Sequence, residues 1–342
     1  MRKIELLSSC FRAVDSERLH TARFLERPNR FLVRCDLRGR IVEAFLPNPG
    51  RLWEILLPGT ELLLSMDGKS DTRKTVYTAV AAKREDILIL LHTHMTNDAS
   101  DWLLRRGKVP GLEGWRIEKR EASLGRSRFD FLMEKEGKKL YLEVKSCTLF
   151  GSRLAMFPDA PSVRGRKHVE ELAAMEGGGA VLILVQSGAP RFFLPDFHTD
   201  PKFAESLYKN RDRLEIIPLA VSWSEGLALS GETRRLEIPW EVYEKNRACP
   251  GVTIVTGERG GRFWAYAADG KRPSAGLKEI VVKSDRVSAG QINRELAAAA
   301  DGCGEEDGGK VFYFSGPPLK NPDFAALLLY HRTDGMLEGD GD

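Results

Sequence analysis

The sequence predicts a multi-domain protein of mixed α/β and β class: an N-terminal β-barrel, a central mixed α/β sheet and a small α+β unit at the end. Three observations carry this prediction. Short apolar runs broken by turn residues fill residues 1–86, the pattern of many short strands. Two period-two segments face each other across one polar turn within 128–145, followed by a continuous apolar run at 180–185 between helical patterns, which is how a hairpin and a strand buried on both faces read. Beyond residue 235 the charge balance changes sign: residues 1–235 carry 39 Lys+Arg against 32 Asp+Glu, whereas 236–342 carry 13 against 17. The expected domains are therefore 1–86, 87–235 and 236–342.

In the first domain, residues 31–37 run through Arg38-Gly39-Arg40 into 41–46, a hairpin. Pro47-Asn48-Pro49-Gly50 makes a turn, and strand-like runs follow at 52–57, 61–66, 75–81 and 87–92. An OB-like barrel is the nucleic-acid-binding version of such a unit. Arginines stud the segment, among them Arg30, Arg51 and the pair Arg73-Lys74, with Phe24 and Phe31 between them. Aromatic rings beside cations are how single strands are gripped; the competing expectation is that the rings are core and the arginines a solvated rim.

The second domain holds the most informative residues. With a loop centred on Glu136-Gly137, opposed residues share one sum. Phe129 then faces Val144, Phe131 faces Leu142 and Met133 faces Leu140. On the other face Asp130 meets Glu143 and Arg128 meets Lys145. A one-residue slip would turn the apolar set outward, so the register is specified. Like charges directly opposed destabilise a sheet, and such a placement calls for a compensating reason. One is a divalent cation: two carboxylates and a lysine are the equipment of Mg²⁺- or Mn²⁺-assisted phosphodiester cleavage. The carboxylates hold the ion against substrate phosphate and the ammonium stabilises charge in the transition state. The other is a self-satisfied quartet, in which Arg128 pairs with Glu143 and Asp130 with Lys145.

Around this hairpin, 97–108 reads as a helix. Ser162 caps a second one running to about Met175, with Arg164, Lys167 and His168 early in it, the end where cations oppose the helix dipole and an anion is favoured. A helix at 202–209 and a strand at 214–221 complete a βαβ unit. His92 and His94 share a face if their segment is a strand, but no third ligand accompanies them. The C-terminal part shows a hairpin around Gly257–Gly261, a helix over 288–300, an acidic low-complexity loop at 301–309, a strand at 311–314, a helix at 323–330 and a frayed end from 335. No residue pattern assigns it chemistry; self-association or a protein partner is the expectation for it.

Composition excludes several classes. The 342 residues are 42% hydrophobic and 30% charged with a formal net charge of +3. No stretch approaches the roughly 18 or more apolar residues of a membrane helix, and the apolar run near the start is too short for a secretory signal. Five scattered cysteines without CxxC spacing read as reduced thiols in a cytoplasmic protein. Gly177-Gly178-Gly179 lacks a following GK[ST] and is a turn, not a phosphate loop.

The segments Ser127–Leu132 and Leu142–Leu149, with Phe157-Pro158-Asp159-Ala160, Arg164–His168, Leu46-Pro47-Asn48, Gly50-Arg51, Arg73-Lys74-Thr75 and Asp200–Ala204, resemble the sugar fermentation stimulation protein A (SfsA) family over residues 10–230. The resemblance implies an N-terminal OB-like domain and a restriction-endonuclease-like domain of PD-(D/E)xK type. It implies DNA binding and regulation of sugar utilisation genes. Asp130, Glu143 and Lys145 fall on the nuclease motif as catalytic residues, with Asp130 and Glu143 as metal ligands. Glu121 matches a family acid and is a further candidate ligand; Asp159 is a weaker one. The candidate nucleic-acid contacts are Arg30, Arg51, Arg73, Lys74, Arg128, Arg164, Lys167 and His168. Phe45 and Pro49 depart from the family pattern, which bears on the barrel surface and not on the hairpin. The alternative is a non-catalytic DNA-binding regulator on the same scaffold; a third reading, an enzyme of some other phosphate ester, is opposed by the basic barrel.

Overall fold

The structure is a computed structural model that describes residues 10–66, 75–269, 277–306 and 309–337. After a short strand, β1 (Phe11–Arg12), the chain forms β2 (Leu19–Asn29), β3 (Leu32–Leu37), β4 (Arg40–Phe45), β5 (Glu61–Met66) and β6 (Tyr77–Arg84). These pair in the order β4-β3-β2-β5-β6, and a parallel contact between β4 and β6 at Ala44–Tyr77 closes the ring. Closure into a five-stranded barrel leaves no free edge. Alternation decides what fills it: Ala22 and Phe24 on β2, Val33 and Cys35 on β3, Ala44 on β4 and Leu62 and Leu64 on β5 all point inward. Phe24 is therefore core, not a stacking platform. The expected strand at 52–57 is a set of turns with Leu52 at φ 52°; its apolar side chains still pack inward. Strand β2 is absent from the sequence expectation because its outward positions are crowded with charge and Pro28 interrupts its pattern.

The second domain contains β7 (Ile87–Leu90), α1 (Thr93–Arg105), β8 (Arg116–Leu124), β9 (Ser127–Lys135), β10 (Lys138–Cys147), β11 (Leu149–Phe150), β12 (Leu154–Phe157), α2 (Val163–Ala173), β13 (Gly179–Val185), β14 (Phe192–Pro195), α3 (Pro201–Lys209), β15 (Leu214–Ser224), β16 (Ala228–Arg235) and α4 (Trp240–Arg247). The main sheet runs β7-β15-β13-β10-β9-β8, and β16 joins β15 and the N-terminal β1. The β10–β13 and β13–β15 pairs are parallel, with α2 and α3 in the crossovers, as expected of a mixed α/β sheet. Every residue of β13 is buried, which explains its unbroken apolar run. Helix α1 starts earlier than expected because His92 caps it, its Nδ1 accepting the Met95 N–H. His94 then lies in the helix, so the two histidines do not share a strand face.

The third unit is an antiparallel sheet of β17 (Val252–Arg259), β18 (Arg262–Asp269), β19 (Lys278–Val282), β20 (Gly302–Glu306) and β21 (Gly309–Phe314), in the order β19-β17-β18-β21-β20. Helices α5 (Ala289–Ala299) and α6 (Pro322–Arg332) share its apolar core. Most of the acidic loop expected at 301–309 is strand β20 and its pairing with β21; glycines hid the pattern.

This unit is fastened to the second domain. Arg332 on α6 reaches Asp196 at 2.9 Å with both side chains buried. Asp334 accepts backbone N–H bonds from Ser152, Arg153 and Leu154. The frayed end expected from 335 is corrected for Gly335 to Leu337, which are buried; residues 338–342 lie outside the described residues. Among the described residues no helix is long and apolar enough to cross a membrane.

Candidate active site

The hairpin turn is Glu136-Gly137, at φ 52° and 79°, the left-handed pair that a two-residue hairpin loop requires. The ladder keeps the expected register from Lys135–Lys138 to Phe131–Leu142 and stops there. Phe131, Met133, Leu142 and Val144 pack on the α1 side, but Phe129 lies in the opposite cluster. Its ring is 5.7 Å from Tyr141 and 5.3 Å from His168. The expected facing of Phe129 with Val144 is thus corrected. Where the ladder ends, the Asp130 carboxylate takes the place of a backbone acceptor: Val144 N–H donates to Oδ2 at 2.8 Å, and Asn97 Nδ2 donates to Oδ1 at 2.6 Å.

Glu143 is 5% exposed. Its Oε1 accepts from Lys145 Nζ at 2.5 Å and from His168 Nδ1 at 2.7 Å. Arg164 Nε donates to His168 Nε2 at 3.4 Å, so the ring keeps its proton on Nδ1 and directs it at the carboxylate. Glu143 Oε2 is buried without a bonding partner. The quartet expected as an alternative is not made, because Lys145 pairs with Glu143 and Arg128 pairs elsewhere.

Environment drives the two carboxyls apart. Burial, then the charge of Glu143, pushes Asp130 up to about 6 despite the Val144 N–H, Lys145 and Asn97. Burial is also the largest influence on Glu143 and acts upward, but His168 and Lys145 together outweigh it and the carboxyl ends below its ordinary value. A split between neighbouring carboxyls marks a site able to hold both a proton and a charge.

The other sequence candidates fall in different places. Glu121 bonds Arg128 at 2.8 Å with both side chains more than half exposed. No cluster of three or more metal-ligating side chains exists among the described residues, so Glu121 does not complete a three-acid set and Arg128 is committed to it. His168 is buried and belongs to the carboxylate site, not to an exposed phosphate-contacting face. Arg164 is exposed, and Lys167, also exposed, lies 3.5 Å from Glu171. On the barrel, Arg30 lies 5.8 Å from the Phe31 ring, which stacks on Phe45 at 6.4 Å; both rings are more than 40% exposed. Arg51 is exposed, in the loop that Arg27 braces by bonding the carbonyls of Asn48, Gly50 and Arg51. Arg73 and Lys74 lie outside the described residues. Asp159 is half-buried against that same loop and accepts the Leu52 N–H, a structural position that joins the barrel to the second domain.

Sequence reasoning missed Asn97, Ser146 and Gln186. Gln186 Nε2 donates to Ser146 Oγ at 3.1 Å, and its Oε1 accepts from Trp223 Nε1 at 2.8 Å. A polar residue ending the apolar run of β13 was a signal for Gln186; nothing local marks Asn97, which α1 brings in from 33 residues away.

A closed OB barrel joined to a mixed α/β domain, with a carboxylate pair and a lysine on one hairpin, defines a two-domain class of protein. Residues 25–91 match the family model described as the SfsA N-terminal OB domain, and residues 94–226 match that of the sugar fermentation stimulation protein RE domain. The chain belongs to the SfsA family. It is 40% identical over 223 residues to a sugar fermentation stimulation protein homolog of Methanothermobacter thermautotrophicus, covering 64% of this chain and 92% of the relative. A homolog from Clostridium novyi is 40% identical over 55% of this chain and 83% of its own length. The solved structure of Pyrococcus furiosus SfsA in complex with Ca²⁺ superposes with a TM-score of 0.61 at 29% identity, covering 67% of this chain and 99% of that one. The sheet of β17–β21 lies beyond the residues matched by the family models.

Proposed function

We propose that this chain binds DNA and hydrolyses phosphodiester bonds with Mg²⁺ or Mn²⁺ held by Asp130 and Glu143. The observation that carries the reading is Glu143 Oε2, a buried carboxylate oxygen with no bonding partner beside a second carboxyl. Leaving such an atom unsatisfied is costly, and a hard cation with oxygen ligands answers it, one or two carboxylates being enough when waters and phosphate complete the shell. The P. furiosus relative is in complex with Ca²⁺, a cation of the same hard, oxygen-preferring class, which supports this reading. When bound, the ion would polarise the phosphoryl oxygen and acidify a water. Asn97 and the Val144 N–H hold Asp130 in place, and His168 and Lys145 keep Glu143 ionised. Lys145, partly exposed, supplies charge to the developing phosphorane. The exposed Phe31–Phe45 pair with Arg30 offers the barrel a stacking surface for bases. DNA is preferred over RNA on the family resemblance alone.

Plasmid, single-stranded DNA and RNA incubated with the full chain in Mn²⁺ or Mg²⁺ test the reading. Cleavage by the wild type that is lost in Asp130→Ala and Lys145→Ala supports it, and equal cleavage by all three refutes it. One observation favours a second reading, a non-catalytic DNA-binding regulator of sugar metabolism genes: Lys145 and His168 already satisfy Glu143 Oε1. That reading requires salt-sensitive binding, no turnover with any metal and affinity indifferent to EDTA.

A further inference from the structure

Away from the hairpin site, a cavity of about 490 Å³ is walled by all three units. Glu54 and Leu57 come from the segment after β4, Arg84 from the end of β6, Ile87 from the start of β7, Ser152 from the second domain and Leu329 from α6. Two of these groups are anomalous. Glu54 is 3% exposed, and apart from the pull of its own backbone N–H neither carboxylate oxygen has a bonding partner. The Arg84 guanidinium lies 4.2 Å from the Phe150 ring and donates through Nη2 to the Phe150 carbonyl at 2.9 Å, leaving Nη1 buried and unpartnered. Buried polar atoms are satisfied in nearly all native structures, and exceptions call for a reason. Residues lining this one cavity thus hold an unpaired acceptor and an unpaired donor that do not bond each other.

We propose that this junction cavity is a binding site for a small zwitterion of the α-amino-acid type. The ligand's ammonium would donate to Glu54, its carboxylate would accept from Arg84, and its side chain would lie against Leu57, Ile87 and Leu329. A simple anion would leave Glu54 unanswered and a simple cation would leave Arg84 so; only a molecule with both groups answers the two together. The volume falls within the range of about 300–1,000 Å³ typical of small-molecule sites. Burial, reinforced by Asp159, pushes the Glu54 carboxyl up to about 8 against the opposing effects of its own backbone N–H, Arg84 and Arg332. That is the condition of a carboxylate short of donors, and an ammonium placed against it supplies them. Because the walls come from three units, occupancy would also fasten the barrel and α6 to the second domain.

The test is thermal unfolding of the full chain with the twenty α-amino acids in pools at millimolar concentration, followed by titration calorimetry of any pool member that acts. The expected result is a rise of a few degrees with one chemical group of amino acids, since a ligand at tenfold its Kd stabilises by about 1.4 kcal/mol. The rise should vanish in Glu54→Gln. Ala326→Trp, at an exposed position lining the cavity, should fold normally and abolish binding by filling the space. Asp130→Ala should bind as the wild type does, which separates this site from the nuclease proposal. Absence of any shift in the wild type overturns the proposal. So does binding that survives in Ala326→Trp, or a crystal grown with the ligand that shows only ordered waters between Glu54 and Arg84.

Discussion

Replacing Asp130 by Asn is expected to stabilise the metal-free protein at pH 8 while destroying its response to metal. Raising a carboxyl from 3.8 to about 6 costs the ionised form about 3 kcal/mol. The sign follows from linkage: with the folded value above the unfolded one, Asp130 favours folding below about 3.8, and this advantage is lost as pH rises through about 6. Asparagine never pays this ionisation penalty. It offers one acceptor where the carboxylate offers two, to Val144 N–H and Asn97, so about 1 kcal/mol is lost with one bond. The net expectation is a variant more stable by about 1–2 kcal/mol at pH 8 and slightly less stable at pH 4. Urea denaturation in EDTA at both pH values measures the difference directly. In Mn²⁺ the wild type should gain stability and the variant should not. A variant no more stable than the wild type at pH 8 in EDTA would refute the claim that burial and Glu143 strain this carboxylate.

Three further outcomes are expected. Asp196→Ala should lower stability by about 3–5 kcal/mol, because it leaves Arg332 as an uncompensated buried charge, and limited proteolysis should then release the C-terminal unit first. Ser162→Ala removes the Oγ that accepts the Gly165 N–H and should cost about 1 kcal/mol, measurable by chemical denaturation. Phe31→Ala with Phe45→Ala should weaken single-stranded DNA binding by about 1–3 kcal/mol per stacked base lost in a fluorescence-anisotropy titration, with little effect on stability because both rings are exposed.

The hairpin was legible because period-two alternation and a polar Glu-Gly turn act within a few residues, and so the register of Lys135–Lys138 through Phe131–Leu142 followed from local rules. The two crossovers to β13 and β15 were legible for the same reason. The facing of Arg128 with Lys145 was not: where the ladder ends, Asp130 inserts its carboxylate against Val144 N–H, and the alternation of Phe129 is broken. The roles of His168 and Asn97 were equally hidden, since α2 and α1 deliver them from distant segments. Sequence did place His168 near an anion, but that anion is Glu143 inside the protein and not a phosphate outside it.

By itself the sequence determined the β-rich first domain, the mixed sheet, the α+β unit and the two carboxylates with their lysine, because strand periodicity, turn chemistry and helix caps are local. Only the tertiary structure decided which of those charges are free. Arg128 is taken by Glu121, Lys145 and His168 by Glu143, and Arg332 by Asp196, while Glu143 Oε2, both oxygens of Glu54 and one nitrogen of Arg84 are left without partners from other residues. Partnership between charges depends on where distant chain segments come to lie and on how far burial excludes water, and neither quantity is written in local spacing.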